Sequence, residues 1–319
     1  MNIIHAAADL KTGPGGVCLA IGVFDGVHLG HQSVIGRARE EARQRGALSV
    51  VLTFDRHPNA IVAPQNVPPL IYPLAKKLRV ISSLGVDATC VIHFDKAFSQ
   101  ISGEQFIRGV ARDFKAIRAV CVGETFMFGC RRSGNVALLR TWGGELGFAL
   151  HALPDVSLGG QPVSSTRIRE AVRAGRLEEA GQLLGRPYTL CGPVVTGEQR
   201  GRKICFPTAN LDLAGILVPS AGVYAADAEV AGKTHRAAVN IGHRPTVHSL
   251  NAPLSVEAHL LDFRGDIYGQ EIELTFLKKL RDERKFPSVI ALQQQIEEDV
   301  AAARALPTEA KNTSGANTN

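Results

Sequence analysis

The stretch IGVFDGVHLGH, Ile21 to His31, joins an apolar run that begins at Cys18 to the helical pattern HQSVIGRAREEARQRG. Its position predicts a turn between a strand and a helix. Glycines at 22, 26 and 30 let backbone N–H groups approach a ligand, and the N-terminus of the following helix favours phosphate. His28 and His31 are three residues apart, which predicts that both lie on one face of the first helical turn and point at the same bound group. Two imidazoles placed there can donate hydrogen bonds to phosphate oxygens as charge builds during attack.

Outward from this turn, CLAIGVF (18–24), SVVLTF (49–54), ATCVIHF (88–94), AVCVG (119–123) and FALHALP (148–154) are short and almost continuously apolar, as buried parallel strands are. Between them, HQSVIGRAREEARQRG, PLAKKLRVISSLG and SGEQFIRGVARDF show helical spacing. This alternation predicts a doubly wound parallel α/β sheet, with ligands at the carboxyl ends of its strands. The helical segment STRIREAVRAGRLEEAGQLLG follows. The texture changes at Gly185-Arg186-Pro187. VYAADAEV, HRAAVNIG, LSVEAHLLDF and QEIELTFLKKL are alternating or β-branched segments bounded by turn residues, which predicts an antiparallel β-barrel or sandwich. A Ser-initiated amphipathic helix is expected within Asp282–Leu306. The expected organisation is therefore two domains, residues 1–185 and 186–306, followed by a disordered tail, 307–319, that lacks large apolar side chains.

The 319 residues carry a net charge of +6, which suits an anionic partner. Arg37, Arg39, Arg43 and Arg45 are interleaved with Glu40 and Glu41, and Lys278–Lys285 contains Asp282 and Glu283. Both runs read as solvated helix faces, which argues for a phosphorylated small molecule and against nucleic acid. The six cysteines are scattered, several in apolar runs, with no metal-ligand spacing. With no signal-peptide pattern and no apolar stretch long enough to span a bilayer, the expectation is a cytoplasmic protein that is not bound to a membrane.

The pattern G-x-F-D-G-x-H-x-G-H, Gly22 to His31, resembles the H-x-G-H nucleotidyltransferase superfamily, and its F-D-G-x-H variant resembles the FMN adenylyltransferase branch. VSSTRIR (163–169) is similar to that family's S-S-T-x-x-R signature. Ser165 and Thr166 read as N-cap residues, and Arg169, one turn on, reads as a guanidinium reaching the same anion. The resemblance implies that Phe24, Asp25 and the turn glycines join Ser165, Thr166 and Arg169 in binding ATP. TFDRHP (53–58) resembles T-F-x-P-H-P, with Arg56 in place of the first proline. VGETFMFG (122–129) resembles V-G-x-[DN]-F-x-F-G, with Thr125 where Asn or Asp is usual. Phe54, His57, Pro58, Thr125, Phe126 and Phe128 are the flavin-contacting positions so implied.

In the second half, GEQRGRKICFPTAN (197–210) is a basic glycine loop that could cradle phosphates, and its FPTAN ending is the signature of riboflavin kinases. The resemblance implies that Gly201 and Arg202 bind phosphate and that Thr208 and Asn210 present oxygens to ATP and Mg²⁺, which prefers hard oxygen ligands. Cys205 stands where the family usually has glycine. GVYAA, NIGHRPTV and VEAHLLDFRGDIYGQ continue the match, and Glu257 falls on the family's catalytic base. In a strand, Val256 and Ala258 share one face and Glu257 projects to the other, toward a cleft. Over residues 15–306 the chain is similar to the prokaryotic bifunctional riboflavin kinase/FMN adenylyltransferases. The resemblance implies ATP, riboflavin and FMN as substrates and Mg²⁺ as cofactor. A synthetase-like protein would share H-x-G-H but needs a K-M-S-K-S block, which is absent here. A chain with one module reduced to a flavin-binding regulator remains the alternative to two working sites.

Overall fold

The computed structural model describes residues 1–197, 206–243 and 254–307. The expected tail and the loop carrying Gly201, Arg202 and Cys205 lie outside the described residues, apart from Pro307 at the start of the tail. The chain forms two compact units: Met1–Tyr188 with Ala214–Leu217, and Thr189–Leu213 with Val218 onward.

In the first unit the elements follow as β1 (Asn2–Ile4), β2 (Val17–Ile21), α1 (Leu29–Arg45), β3 (Leu48–Phe54), α2 (Asn59–Val62), α3 (Leu74–Ser83), β4 (Ala88–Ile92), α4 (Gly103–Phe114), β5 (Ile117–Gly123), a β6–β7 hairpin (Met127–Phe128, Gly134–Asn135), α5 (Val136–Leu146), β8 (Ala149–Leu153), a β9–β10 hairpin (Ser157–Leu158, Gln161–Pro162), α6 (Ser165–Arg173) and α7 (Leu177–Leu184). Six strands form one parallel sheet in the order β1-β4-β3-β2-β5-β8. Because side chains alternate along a strand, β2 sends Val17, Leu19 and Ile21 into the larger core with Phe106, Ile107 and Val110 of α4 and Leu139 and Trp142 of α5. Its other face carries Cys18, which packs with Ala42 of α1 and Ala119 of β5. Small residues on that face let α1 lie close against the sheet. Helices on both faces make the fold doubly wound, as the strand–helix alternation predicts.

Several local readings of the first unit are corrected. The segment 165–185 is two helices, interrupted at Gly175, whose φ of 73° is left-handed. Ser164, not Ser165 or Thr166, caps α6, accepting from Arg167 N–H at 3.2 Å. Glu41 is not solvated: it is 2% exposed, paired with Arg37 at 2.5 Å and Arg45 at 2.8 Å, and it faces His151 at 3.2 Å.

The second unit is a closed antiparallel barrel of β11 (Thr189–Val195), β12 (Ala209–Leu211), β13 (Gly222–Val230), β14 (Lys233–His243), β15 (Leu254–Leu260) and β16 (Glu271–Arg281), ordered β11-β12-β15-β14-β13-β16. The basic run Lys278–Lys285 is therefore the end of β16 and the irregular stretch after it rather than a helix face. The closing helix α8 (Val289–Ala305) begins with Ser288, whose hydroxyl accepts from Ala291 N–H. Arg281 of β16 grips Asp299 of α8 with two nitrogens at 2.7–3.1 Å. Arg236 of β14 donates to the carbonyls of Ala303 and Leu306 at the other end of the helix. No helix among the described residues is long and apolar enough to cross a membrane.

Candidate active sites

Strand β2 lies where the strand order reverses, between β3 and β5, so the turn that follows it opens at the crevice of the sheet. Phe24 (φ 53°), Gly26 (φ 80°) and Val27 (φ 44°) are all left-handed. Glycine adopts this shape freely, but for the other two it costs on the order of 1–3 kcal/mol each. Their side chains, 2% and 0% exposed, are held by the core.

His28 is the N-cap of α1 rather than part of it, so the two histidines do not share a helical face as expected. Instead their rings stack, with centroids 3.6 Å apart and 19° between planes. The His28 Nδ1 accepts the His31 N–H at 3.3 Å, which in a neutral ring leaves the proton on Nε2, ready to be donated. Burial holds the His28 imidazole down to about 4, with Arg186 and Arg169 adding to the effect. Burial also holds His31 well below its usual value, helped by His28, Lys77 and Arg186. Both rings are therefore neutral at pH 7, and the buried His31 Nδ1 has no hydrogen-bond partner among the described residues. Gly22 lies against the ring of Phe24 and Gly30 against that of His28, so both glycines also make room for side chains of the turn.

The S-S-T-x-x-R helix is tied directly to this turn. Ser165 Oγ donates to Asp25 O at 3.0 Å, and Arg169 meets the Asp25 carboxylate at 2.5 Å while its Nε donates to Pro69 O. The same carboxylate accepts from Ile71 N–H at 3.0 Å. Burial pushes the Asp25 carboxyl upward and the Arg169 charge opposes it. Arg169, 7% exposed, is thus held by Asp25 and the Pro69 carbonyl, and Thr166 is exposed.

The two candidate flavin segments meet in one aromatic series. Phe54 is edge-on to Phe98, Phe98 to Phe106 and Phe106 to Phe128, and Phe128 stacks on Phe126 with centroids 5.0 Å apart. His57 is half-buried, its Nδ1 accepting from Asn59 N–H at 3.1 Å, and Pro58 precedes α2. Arg56 is exposed and pairs with Asp55, and Thr125 is exposed just before β6.

Two residues of this site were not anticipated. Lys77 is 7% exposed and donates to Val23 O, Thr53 Oγ1 and Phe54 O, joining the ends of β2 and β3. Burial lowers its ammonium to about 8. Its spacing to the buried Val80 and Ile81 of α3 is the sequence signal that could have revealed it. Arg186 donates to Gly26 O and Val27 O, lies over the Tyr72 ring at 5.2 Å, and had no such signal.

In the barrel unit, register places Asn210 of β12 opposite Glu257 of β15, and Glu257 opposite Asn240 of β14. Val256 and Ala258 point into the core at 1% and 0% exposure, so Glu257 takes the opposite, half-buried face, as strand alternation predicts. Thr208 Oγ1 donates to Glu257 Oε2 at 3.3 Å. Thr208, Asn210 and Glu257 therefore share one place, where their hard oxygens fit Mg²⁺-bound ATP better than a soft metal. Asn210 is 9% exposed and its amide lies against the backbone of Gly197.

These features define a two-module nucleotide-dependent transferase. The first module matches the FAD synthetase family over residues 11–167, and the second matches the riboflavin kinase family over residues 184–306. A bifunctional riboflavin kinase/FMN adenylyltransferase of Pseudomonas fluorescens is 36% identical over 306 residues, 96% of this chain and 98% of its own. That of Haemophilus influenzae is 38% identical over 96% of this chain and 99% of its own. A crystal structure described as a macrolide-efflux protein from Streptococcus pneumoniae superposes with a TM-score of 0.80 at 30% identity, covering 96% of this chain and 99% of that one. The chain belongs to the family of bifunctional riboflavin kinase/FMN adenylyltransferases.

Proposed function

We propose that the barrel unit phosphorylates riboflavin to FMN and that the sheet unit adenylylates FMN to FAD, each with ATP. In the barrel, Glu257 takes the proton of the riboflavin 5′-hydroxyl as that oxygen attacks the γ-phosphorus and ADP leaves. Thr208 and Asn210 would hold Mg²⁺, which neutralises phosphate charge when bound. Gly201 and Arg202 are assigned to the ATP phosphates on the family resemblance alone.

In the sheet unit, an FMN phosphate oxygen attacks the α-phosphorus of ATP and pyrophosphate departs. The observation that carries this reading is the stacked pair of neutral histidines at the end of β2, within the turn that Asp25, Ser165 and Arg169 brace. Neutral imidazoles donate N–H groups to oxygens that gain charge in the transition state without repelling one another as two cations would. Phe54, Phe126 and Phe128 give the isoalloxazine an aromatic surface, bordered by His57, Pro58 and Thr125. The partners are these small molecules, and the buried thiols suit the reducing cytoplasm. The test is to supply riboflavin and Mg-ATP and to follow the products by chromatography. FMN followed by FAD supports the reading, and the absence of either product removes the corresponding assignment.

A further inference from the structure

We infer that Arg186 is a positioning residue for adenylyl transfer: its guanidinium fixes the turn that carries His28 and His31. The inference rests on the functional reading above. Arg186 Nη1 donates to Val27 O at 3.1 Å and to Leu184 O at 2.9 Å, while Nη2 donates to Gly26 O. Gln32 Nε2 of α1 donates to the same two carbonyls, Val27 O and Leu184 O, at 2.9 and 2.8 Å. Gly26 and Val27 are two of the left-handed residues of the turn, so the carbonyls that Arg186 holds belong to the backbone under greatest conformational demand. A guanidinium reaches three acceptors from one rigid plane, and a lysine ammonium cannot reproduce that fork. The Tyr72 ring beneath it, 5.2 Å away, holds the plane in orientation.

The charge matters as well as the fork. The charged groups that act on the two imidazoles are Arg186, Arg169 with its partner Asp25, and Lys77. Arg169 is neutralised in part by Asp25, and Lys77 is committed to the ends of β2 and β3, whereas among the described residues Arg186 donates to the uncharged carbonyls of Gly26, Val27 and Leu184. Arg186 therefore disfavours protonation of the pair. It lies within the stretch that matches the riboflavin kinase family, residues 184–306, yet it belongs to the first structural unit, Met1–Tyr188.

The test compares full-length parent, Arg186→Gln and Arg186→Lys in steady-state FAD synthesis from FMN and ATP across the acid range, with riboflavin phosphorylation as the control. Arg186→Gln should lose about 10- to 100-fold in kcat, the effect of a small misplacement of catalytic groups. Its acid limb should move to higher pH, because the imidazoles lose a neighbouring cation, and riboflavin phosphorylation should persist. Arg186→Lys should keep the parental acid limb while recovering only part of kcat. A parental kcat and acid limb in Arg186→Gln would overturn the inference, as would equal loss of both activities in the two variants. Should Arg186→Gln fail to fold, a parental kcat in Arg186→Lys overturns the fork and a reduced one supports it. A parent enzyme that makes no FAD would sink the functional reading instead.

Discussion

Gly197 and Asn210 touch: a Cβ at position 197 would lie 2.3 Å from the Asn210 amide nitrogen. Asn210 is 9% exposed and stands beside Glu257 in register, so its amide has little room to withdraw. Gly197→Ala should therefore displace Asn210 and lower riboflavin phosphorylation by roughly 10- to 100-fold, the usual result of a small misplacement in a site. FAD synthesis from supplied FMN should stay at the parental level. A kinase rate unchanged in Gly197→Ala would show that Asn210 need not hold its observed position.

Glu257→Gln tests the proposed base. Glutamine keeps the length and can still bond to Thr208, but it cannot take the hydroxyl proton. Riboflavin phosphorylation should fall about 100- to 10,000-fold, while FMN adenylylation continues in the same tube. Parental kinase activity would reduce Glu257 to a hydrogen-bond partner of Thr208.

His31→Ala removes one donor of the stacked pair. The loss of a preorganised donor to a developing oxyanion is worth roughly 3–4 kcal/mol, or about 100- to 1000-fold in FAD synthesis. His28→Ala should also lose FAD synthesis, to a lesser degree, and should relax the start of α1, since its Nδ1 caps that helix. FMN formation from riboflavin serves as the control in both variants, and full FAD synthesis by His31→Ala would remove the histidine from the mechanism.

Acid should destabilise the sheet unit through His28. The ring ordinarily titrates at 6.5, and in the fold burial holds it to about 4, so the unfolded chain takes up a proton that the folded chain refuses. This contribution is fully present above pH 6.5 and is lost as pH falls toward about 4, by roughly 3 kcal/mol. Urea unfolding across that interval should show a smaller acid loss for His28→Gln than for the parent. Parallel curves would mean that His28 protonates as readily folded as unfolded.

The parallel strands were legible because β2, β3, β4 and β5 are largely buried on both faces and read as almost continuous apolar runs. β11 was not, because Gly192 and Pro193 interrupt it, and Pro193 is tolerated only where the pairing with β16 ends. The three residues each of β1 and β12 carry too little pattern to read. α5 was hidden by Gly143 and Gly144. At the sites, motif spacing picked out residues that the fold does bring together, such as Thr208 with Glu257 across 49 positions. It could not show that Arg169 is bound to Asp25, nor that Arg186 reaches Gly26 across 160 positions, because those contacts depend on how the helices are placed.

Phe24 and Val27 hold the left-handed turn with their side chains sealed in the core, so the loop surrenders its disorder when the chain folds and not when nucleotide arrives. Association with ATP should then carry little ordering entropy, and the amides of residues 24–28 should resist hydrogen exchange in the ligand-free enzyme as strongly as those of β2. An enzyme built this way should meet its substrate with this turn already formed.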